Sequence, residues 1–265
     1  MIVKNSNSYR YHALLTLEAE VLNLDSGYCA VFSYPSTNQA DENEDSAAVI
    51  ILNTNETILA LSDGAGGHPG GNVASQIVIN ELNEELLHPS NHDQLIRASI
   101  LNAIEVANKI IIASTSGAGA TACVVSIEDA KLRPFHVGDS VIAVTGQRGK
   151  LIYRNTEHSP LGYAIRSELV GEEHLDSDVS HEVFNLIGNN EMHIEIGPEI
   201  DLKKSDTVFI CSDGITDVIP LNECLKIIKS GPIKKVANEL IKKYFNLVQD
   251  IAHKDDATFI IFRKN

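Results

Sequence analysis

Short apolar runs separated by polar turns follow one another along the chain, and this pattern predicts most of the strands. The runs SAAVIILN and TILALSDG are rich in Ile, Leu and Val and are separated by a polar turn at residues 53–55. CAVFSY is the strongest strand candidate in the mixed segment before them. A meander of antiparallel strands is predicted at ATACVVSI, LRPFHV, SVIAVT and KLIYRN, and later strands at DTVFICSDG and ATFIIF.

Helical spacing of apolar residues predicts four helices, at Gly71–Leu87, about 92–113, about 221–229 and about 233–247. Residues 157–190 are polar and irregular and form a longer stretch than an ordinary connection, which predicts a functional flap. The order of strands, helices, strands, helices and a final strand favours an α+β layered fold over alternating βαβ units. No repeat or linker divides residues 1–265, so we expect a single domain.

The balance of charge and the spacing of the cysteines argue against several classes of protein. Of 265 residues, 36 are Asp or Glu and 21 are Lys or Arg, and the resulting net charge of −15 repels nucleic acid phosphates. No apolar stretch reaches the roughly 18 residues of a membrane span, and the N-terminus lacks the apolar core of a signal peptide. The four cysteines are far apart and predict reduced core thiols. We expect a monomeric cytoplasmic protein that binds neither nucleic acid nor membranes.

Acidic residues recur where predicted strands begin or end. These positions are Asp63, Asp139, Asp213, Asp255 and Asp256, with Glu44 and Asp45 in the run DENEDS. Glycine follows both Asp63 and Asp213 and lets the chain turn sharply, so that a carboxylate and a nearby carbonyl face one cation. Bare carboxylates repel one another at low dielectric, so a cluster would need hard divalent cations, Mg²⁺ or Mn²⁺ rather than Zn²⁺. Asp-Gly is also a common turn dipeptide, and a single one carries little information.

Seven short motifs occur in an order that resembles a known enzyme family. They are NEDS (43–46), LSDGAGGH (61–68), GATA (119–122), HVGDS (136–140), EHSP (157–160), CSDGITD (211–217) and KDDATFII (254–261). Together they resemble the type-2C metal-dependent serine/threonine protein phosphatases of the PPM type, and the GGH ending is similar to bacterial members. The resemblance implies a central β-sandwich of two antiparallel sheets flanked by helices on both sides. It also implies hydrolysis of phosphoserine and phosphothreonine in phosphorylated proteins, alongside a partner serine/threonine kinase.

The resemblance also assigns metal ligands and a reaction to the matching residues. It implies that two Mg²⁺ or Mn²⁺ ions are held by Asp63, Gly64, Asp213, Asp255 and Glu44. Asp63 would bridge both ions, the Gly64 carbonyl would bind the second, and Asp139 would bind a third, weaker ion. Asp63 and Asp213 would act catalytically through a bridging hydroxide that attacks phosphorus in line.

The sequence departs from the family pattern at three positions. Ala40 stands where members usually carry an arginine that grips the substrate phosphate, and Arg166 in the flap is the candidate substitute. Ala65 stands where eukaryotic members carry a general-acid histidine, and His68 could contact the leaving oxygen or only bond the loop backbone. Val141 replaces an arginine that follows GDS.

Two further readings of the sequence follow from these features. Because Ala40 and Val141 remove cations, the chain could be a weakly active or inactive phosphatase-like module that binds phosphoproteins. A calcium-binding protein is the other alternative, but DENEDS lacks the glycine and terminal Glu of an EF-hand loop.

Overall fold

Helices and strands follow one another in blocks along the chain. The computed structural model describes residues 1–37, 39, 43–65, 70–89, 95–115, 117–167, 183–251 and 254–265. Its helices are α1 (Gly70–Leu87), α2 (Ile96–Ser114), α3 (Pro160–Arg166), α4 (Asp213–Thr216), α5 (Leu221–Ile228) and α6 (Ile233–Leu247), with a 3-10 turn at Val248–Asp250.

The strands are numbered in chain order. They are β1 (Ile2–Lys4), β2 (Ser8–His12), β3 (Glu20–Leu24), β4 (Gly27–Tyr34), β5 (Ser46–Asn53), β6 (Glu56–Ser62), β7 (Gly64–Ala65), β8 (Gly119–Ala120), β9 (Ala122–Glu128), β10 (Lys131–Val137), β11 (Val141–Thr145), β12 (Leu151–Arg154), β13 (Glu195–Ile196), β14 (Ile200–Asp201), β15 (Thr207–Cys211) and β16 (Ala257–Lys264).

These strands form two large antiparallel sheets. The first has the order β1-β2-β5-β6-β9-β10, with β13 and β14 both pairing with β10, and the second has the order β12-β11-β15-β16-β4-β3. The short strands β7 and β8 form a separate pair. The turn predicted at residues 53–55 joins β5 to β6, which pair from Ser46–Ser62 to Asn53–Glu56.

Alternating side chains place the apolar residues in three layers of core. In β16, Ile260 and Phe262 point between the sheets, whereas Phe259 and Ile261 point toward α5 and α6. Helices α1 and α2 pack on the outer face of the first sheet through Val78, Ile104 and their neighbours. The predicted β-sandwich with helices on both sides is therefore confirmed.

Most predicted elements are present, and the elements that were not predicted are short. Helix α3 lies inside the flap that we expected to be irregular, because Ser159 caps it by accepting a 3.1 Å hydrogen bond from the Gly162 N–H. The first three strands were not predicted, since their sequences mix polar and apolar residues without clean alternation. The predicted start of the second helix at residues 92–94 lies outside the described residues.

Two expectations from composition can be compared with the structure. The four cysteines are buried and free, as expected of core thiols. No helix among the described residues has the length and apolar character needed to span a bilayer.

The core between the sheets predicts unequal costs for two leucine truncations. Leu59 is fully buried there, whereas Leu17 is 67% exposed. We expect Leu59→Ala to lower the free energy of unfolding by about 2–5 kcal/mol and Leu17→Ala to change it by about 0.5 kcal/mol or less. Urea unfolding of both variants measures the difference, and equal losses would contradict the assigned core.

Candidate metal centre

Several carboxylates converge at one end of the sandwich. Asp63 follows β6, Asp213 follows β15 and Asp255 precedes β16. Burial raises the pKa of Asp63 well above its ordinary value, and the neighbouring carboxylates of Asp45, Asp213, Asp255 and Asp139 raise it further. Strand ends from both sheets thus bring together acids that are up to 210 residues apart in sequence (from 45 to 255).

Two of these acids have an oxygen atom with no hydrogen-bond partner in the part of the chain that the structure describes. Burial raises the pKa of Asp213 and of Asp45 well above the ordinary value, and nearby carboxylates add to both shifts. Among the described residues, Oδ1 of Asp213 and Oδ1 of Asp45 are buried without a hydrogen bond. An unpartnered buried oxygen among like charges is costly, and a divalent cation would both neutralise and coordinate it. The all-oxygen donor set fits Mg²⁺ or Mn²⁺.

The backbone around Asp63 is fixed by Thr121. The Asp63 N–H donates to Thr121 Oγ1 at 3.0 Å, and the Thr121 N–H donates to the Asp63 carbonyl at 2.8 Å. Thr121 Oγ1 also lies 2.8 Å from Ser140 Oγ, next to Asp139. One threonine therefore connects the end of β6 to the turn that carries Asp139.

The glycines beside the aspartates permit close packing of backbone segments. A Cβ on Gly64 would overlap the Gly71 carbonyl, and a Cβ on Gly214 would overlap the Asp256 carbonyl. Neither glycine has the positive φ that favours glycine, and Gly64 continues into strand β7 while Gly214 lies in α4. Backbone segments approach too closely at both positions for any side chain, which is a reason for glycine that the Asp-Gly dipeptides did not reveal.

Glu44 is held at the N-terminal end of α1. Its N–H donates to Asp256 Oδ2 at 2.6 Å, and its carbonyl accepts from Ser75 Oγ at 2.5 Å. Its carboxylate packs against Gly71, where a Cβ would overlap Oε2. The other oxygen of Asp256 accepts from the Ser36 N–H at 2.7 Å, so this carboxylate organises backbone.

Arg154 is a cation beside the acids that the sequence analysis did not single out. A cavity of about 70 Å³ is lined by Asp139, Asp213, Val141, Arg154 and Glu157 among others. Arg154 Nε and Nη2 donate to Glu157 Oε1 at 3.1 and 2.9 Å. Its position at the end of β12 gave no signal in the sequence, because only the fold brings that strand end to the cavity that Val141 also lines.

Arg166 lies in the next cavity, of about 390 Å³, which Arg154 and Glu157 also line. Its Nη1 donates to Thr156 Oγ1 at 3.1 Å, and neither Asp139 nor Asp213 lines that cavity. A phosphate-binding role for Arg166 stays a prediction. His68 and Ala40 lie outside the described residues.

A second group of potential ligands comprises His136, His158 and Glu195, whose ligand atoms lie within 4.8 Å of one another. His136 Nε2 lies 2.9 Å from the Thr156 carbonyl and must donate to it, so that nitrogen carries a proton. His158 Nε2 carries its proton as well, since Nδ1 accepts from the Gly138 N–H at 3.1 Å. Each of these nitrogens carries a proton instead of a free lone pair, so neither can bind a metal ion in this tautomer. His136 Nε2 donates to Thr156, and His158 Nε2 faces Glu195 Oε2 at 3.5 Å.

Comparisons with known proteins agree with this fold. The family model described as "Protein phosphatase 2C" matches residues 37–250. The serine/threonine phosphatase stp of Listeria welshimeri is 25% identical over 244 residues, which cover 84% of this chain and 90% of that protein. A Streptococcus agalactiae serine/threonine phosphatase structure has a TM-score of 0.76 at 21% identity, covering 89% of this chain and 99% of that one. The catalytic domain of the phosphatase PstP, solved with two manganese ions, has a TM-score of 0.70 at 23% identity, covering 89% and 96%.

The chain belongs to the protein phosphatase 2C family. It is a metal-dependent protein serine/threonine phosphatase that hydrolyses phosphoserine and phosphothreonine, with bacterial relatives. The resemblance carried by the seven sequence motifs is confirmed.

Removing metal is predicted to destabilise the fold more at pH 8 than at pH 5. For an acid whose folded pKa is raised, stability is fully present below the unfolded pKa of about 4 and is lost as pH rises through the folded pKa. For Asp139 burial raises the folded pKa to about 6, so the loss spans roughly pH 4–6. We expect saturating Mn²⁺ to raise the melting temperature by about 5–10 °C at pH 8 over EDTA and by less at pH 5. Equal increases in melting temperature at both pH values would contradict repulsion between the charged carboxylates.

Filling the space between Gly71 and Glu44 is predicted to disturb the second metal position. In Gly71→Ala the added methyl group displaces the Glu44 carboxylate and presses on Gly64, so we expect Mn²⁺ affinity to fall about 10-fold. Gly146→Ala is the control, since its Cβ would meet no atom closer than 3.7 Å. Calorimetric titration with Mn²⁺ measures both variants, and matching affinities would count against Glu44 as a ligand.

Proposed function

We propose that two Mg²⁺ or Mn²⁺ ions are held by Asp63, the Gly64 carbonyl, Asp213, Asp255 and Glu44, and that Asp139 holds a weaker third ion. Bound there, the cations would activate water for attack on phosphorus and stabilise the developing charge. The observation that carries this assignment is the pair of buried oxygens on Asp213 and Asp45 that have no hydrogen-bond partner among the described residues and lie within a cluster of acids. The sequence placed Asp45 among the clustered acids without a ligand role, and we add it to the residues that face the cations.

The protein's own residues fix the ligands before any ion arrives. Thr121 holds the backbone of Asp63 through two hydrogen bonds, so the carboxylate is presented at a set position. Asp256 holds the Glu44 backbone with an oxygen that would otherwise repel the cluster. Pre-organised ligands of this kind reduce the reorganisation needed in the reaction.

In this proposal, Arg154 is the cationic side chain near the substrate phosphate. Its guanidinium borders the cavity that Asp139 and Asp213 line, and it is anchored by Glu157. A fixed guanidinium suits a phosphate oxygen, and it also offsets the acidic charge. Arg166 lies one cavity further and would contact a more distant part of the substrate.

The cellular compartment and the partners that we propose rest on the net charge and the buried cysteines. We propose a monomer whose residues 1–265 form one catalytic domain with the flap at residues 157–190, of which the structure describes 157–167 and 183–190. Its substrates are cytoplasmic phosphoproteins supplied by a partner serine/threonine kinase. The buried free cysteines and the net charge of −15 support a reducing compartment and argue against nucleic acid as a partner. Manganese is supported by the PstP relative that was solved with two manganese ions.

Amide substitutions of the central acids are predicted to abolish turnover. Asp63→Asn and Asp213→Asn each remove a charge that a cation needs, so we expect kcat for p-nitrophenyl phosphate with Mn²⁺ to fall about 100-fold or more. The matched control is Asp201→Asn, since Asp201 is an exposed residue of β14 remote from the described metal centre.

Two results would contradict this proposal. Full activity of Asp63→Asn would show that Asp63 is not a ligand shared by the two ions. Tight calorimetric binding of a phosphothreonine peptide without phosphate release, across Mg²⁺ and Mn²⁺, would favour the phosphoprotein-binding module instead.

A further inference from the structure

The imidazole of His158 joins three segments that are separate in sequence. Its Nδ1 accepts from the Gly138 N–H at 3.1 Å and from Asn185 Nδ2 at 2.8 Å, and the residue is fully buried. Its own N–H donates to the Gly138 carbonyl at 2.9 Å, and its carbonyl accepts from the Phe184 N–H at 3.2 Å. The start of the flap, the end of the flap and the turn before Asp139 therefore meet on one residue.

The tautomer of His158 is determined by these partners. The Asn185 side chain is oriented by the backbone of His193. The backbone N–H of His193 donates to Asn185 Oδ1 at 3.1 Å, and its carbonyl accepts from Asn185 Nδ2 at 2.8 Å. Asn185 therefore presents an N–H to His158, and the Gly138 N–H is a second donor. With two donors on Nδ1, the proton of the neutral ring is on Nε2, which faces Glu195 Oε2 at 3.5 Å. Burial lowers the pKa of His158 to about 4 and keeps the ring neutral.

The turn that His158 holds leads directly to the acidic cluster. Gly138 has φ +100°, a conformation that fits glycine, and it packs against Thr121. Thr121 in turn holds the backbone of Asp63. Asp139 follows Gly138 in the chain, so a shift of the Gly138 peptide moves the Asp139 carboxylate relative to the other acids.

We infer that His158 is a positioning residue for Asp139: its Nδ1, accepting from Gly138 and Asn185, locks the Asp139 turn to both ends of the flap. This inference rests on the proposed third-ion role of Asp139. Occupancy of that weaker position then depends on an acceptor at Nδ1 and on the Asn185 side chain, although neither residue touches the ion. A side chain that supports a metal ligand in this way typically changes metal affinity by about 10–100-fold when it is removed.

The test compares His158→Leu with His158→Asn by calorimetric titration with Mn²⁺. Asn keeps a side-chain oxygen close to the position of Nδ1. Leu has nearly the same shape as Asn but carries no acceptor. We expect His158→Leu to weaken the weakest Mn²⁺ site about 10-fold and to leave the tighter sites within about 3-fold of wild type. His158→Asn should restore the weak site, and a purely structural role would not distinguish the two variants in this way.

A parallel titration of Asp139→Asn separates failure of the inference from failure of the site assignment. Retention of every Mn²⁺ site in Asp139→Asn would remove Asp139 as a ligand and overturn the inference with it. If Asp139→Asn loses the weak site but His158→Leu keeps it, the third-ion assignment stands and the positioning role is wrong. Should His158→Leu fail to fold, Asn185→Leu removes the other contact, and an unchanged weak site in that variant would also overturn the inference.

Discussion

Mutual repulsion among buried carboxylates at one end of the β-sandwich is the constraint on which the rest of the structure depends. Asp45, Asp63 and Asp213 each have a raised pKa because burial and neighbouring acids disfavour their charge. Such a cluster weakens the fold until a cation enters it. The sheets, the hydrogen bonds of Thr121 and the close approach of Gly64 to Gly71 hold the acids in place against this repulsion.

Much of the fold could be predicted because its elements carry strong local patterns. The apolar runs of β5, β6 and β15 and the periodicity of α1 and α6 were sufficient without tertiary information. Helix α3 could not be found in this way, since it has seven residues and depends on the Ser159 cap. Strands β1 to β3 mix polar and apolar residues, so only pairing with their neighbours defines them.

The acidic residues of the candidate site could be predicted from the sequence, whereas the residues that surround and position them could not. Asp63, Asp213 and Asp255 stand next to apolar runs, a pattern that is visible in the sequence without knowledge of the fold. Arg154 and the acceptor role of His158 depend on contacts between distant segments, and no spacing rule reveals them. The close packing that requires glycine beside the aspartates was also missed, because steric overlap with another strand or helix is invisible in a dipeptide.

Anomalous scattering from crystals of the protein soaked in Mn²⁺ would show whether the buried carboxylates share two cations. We expect two strong peaks that share the Asp63 carboxylate, one of them also beside Asp213 and Asp255 and the other beside the Gly64 carbonyl. A single peak away from Asp63, or manganese bound only at the imidazoles of His136 and His158, would contradict this expectation.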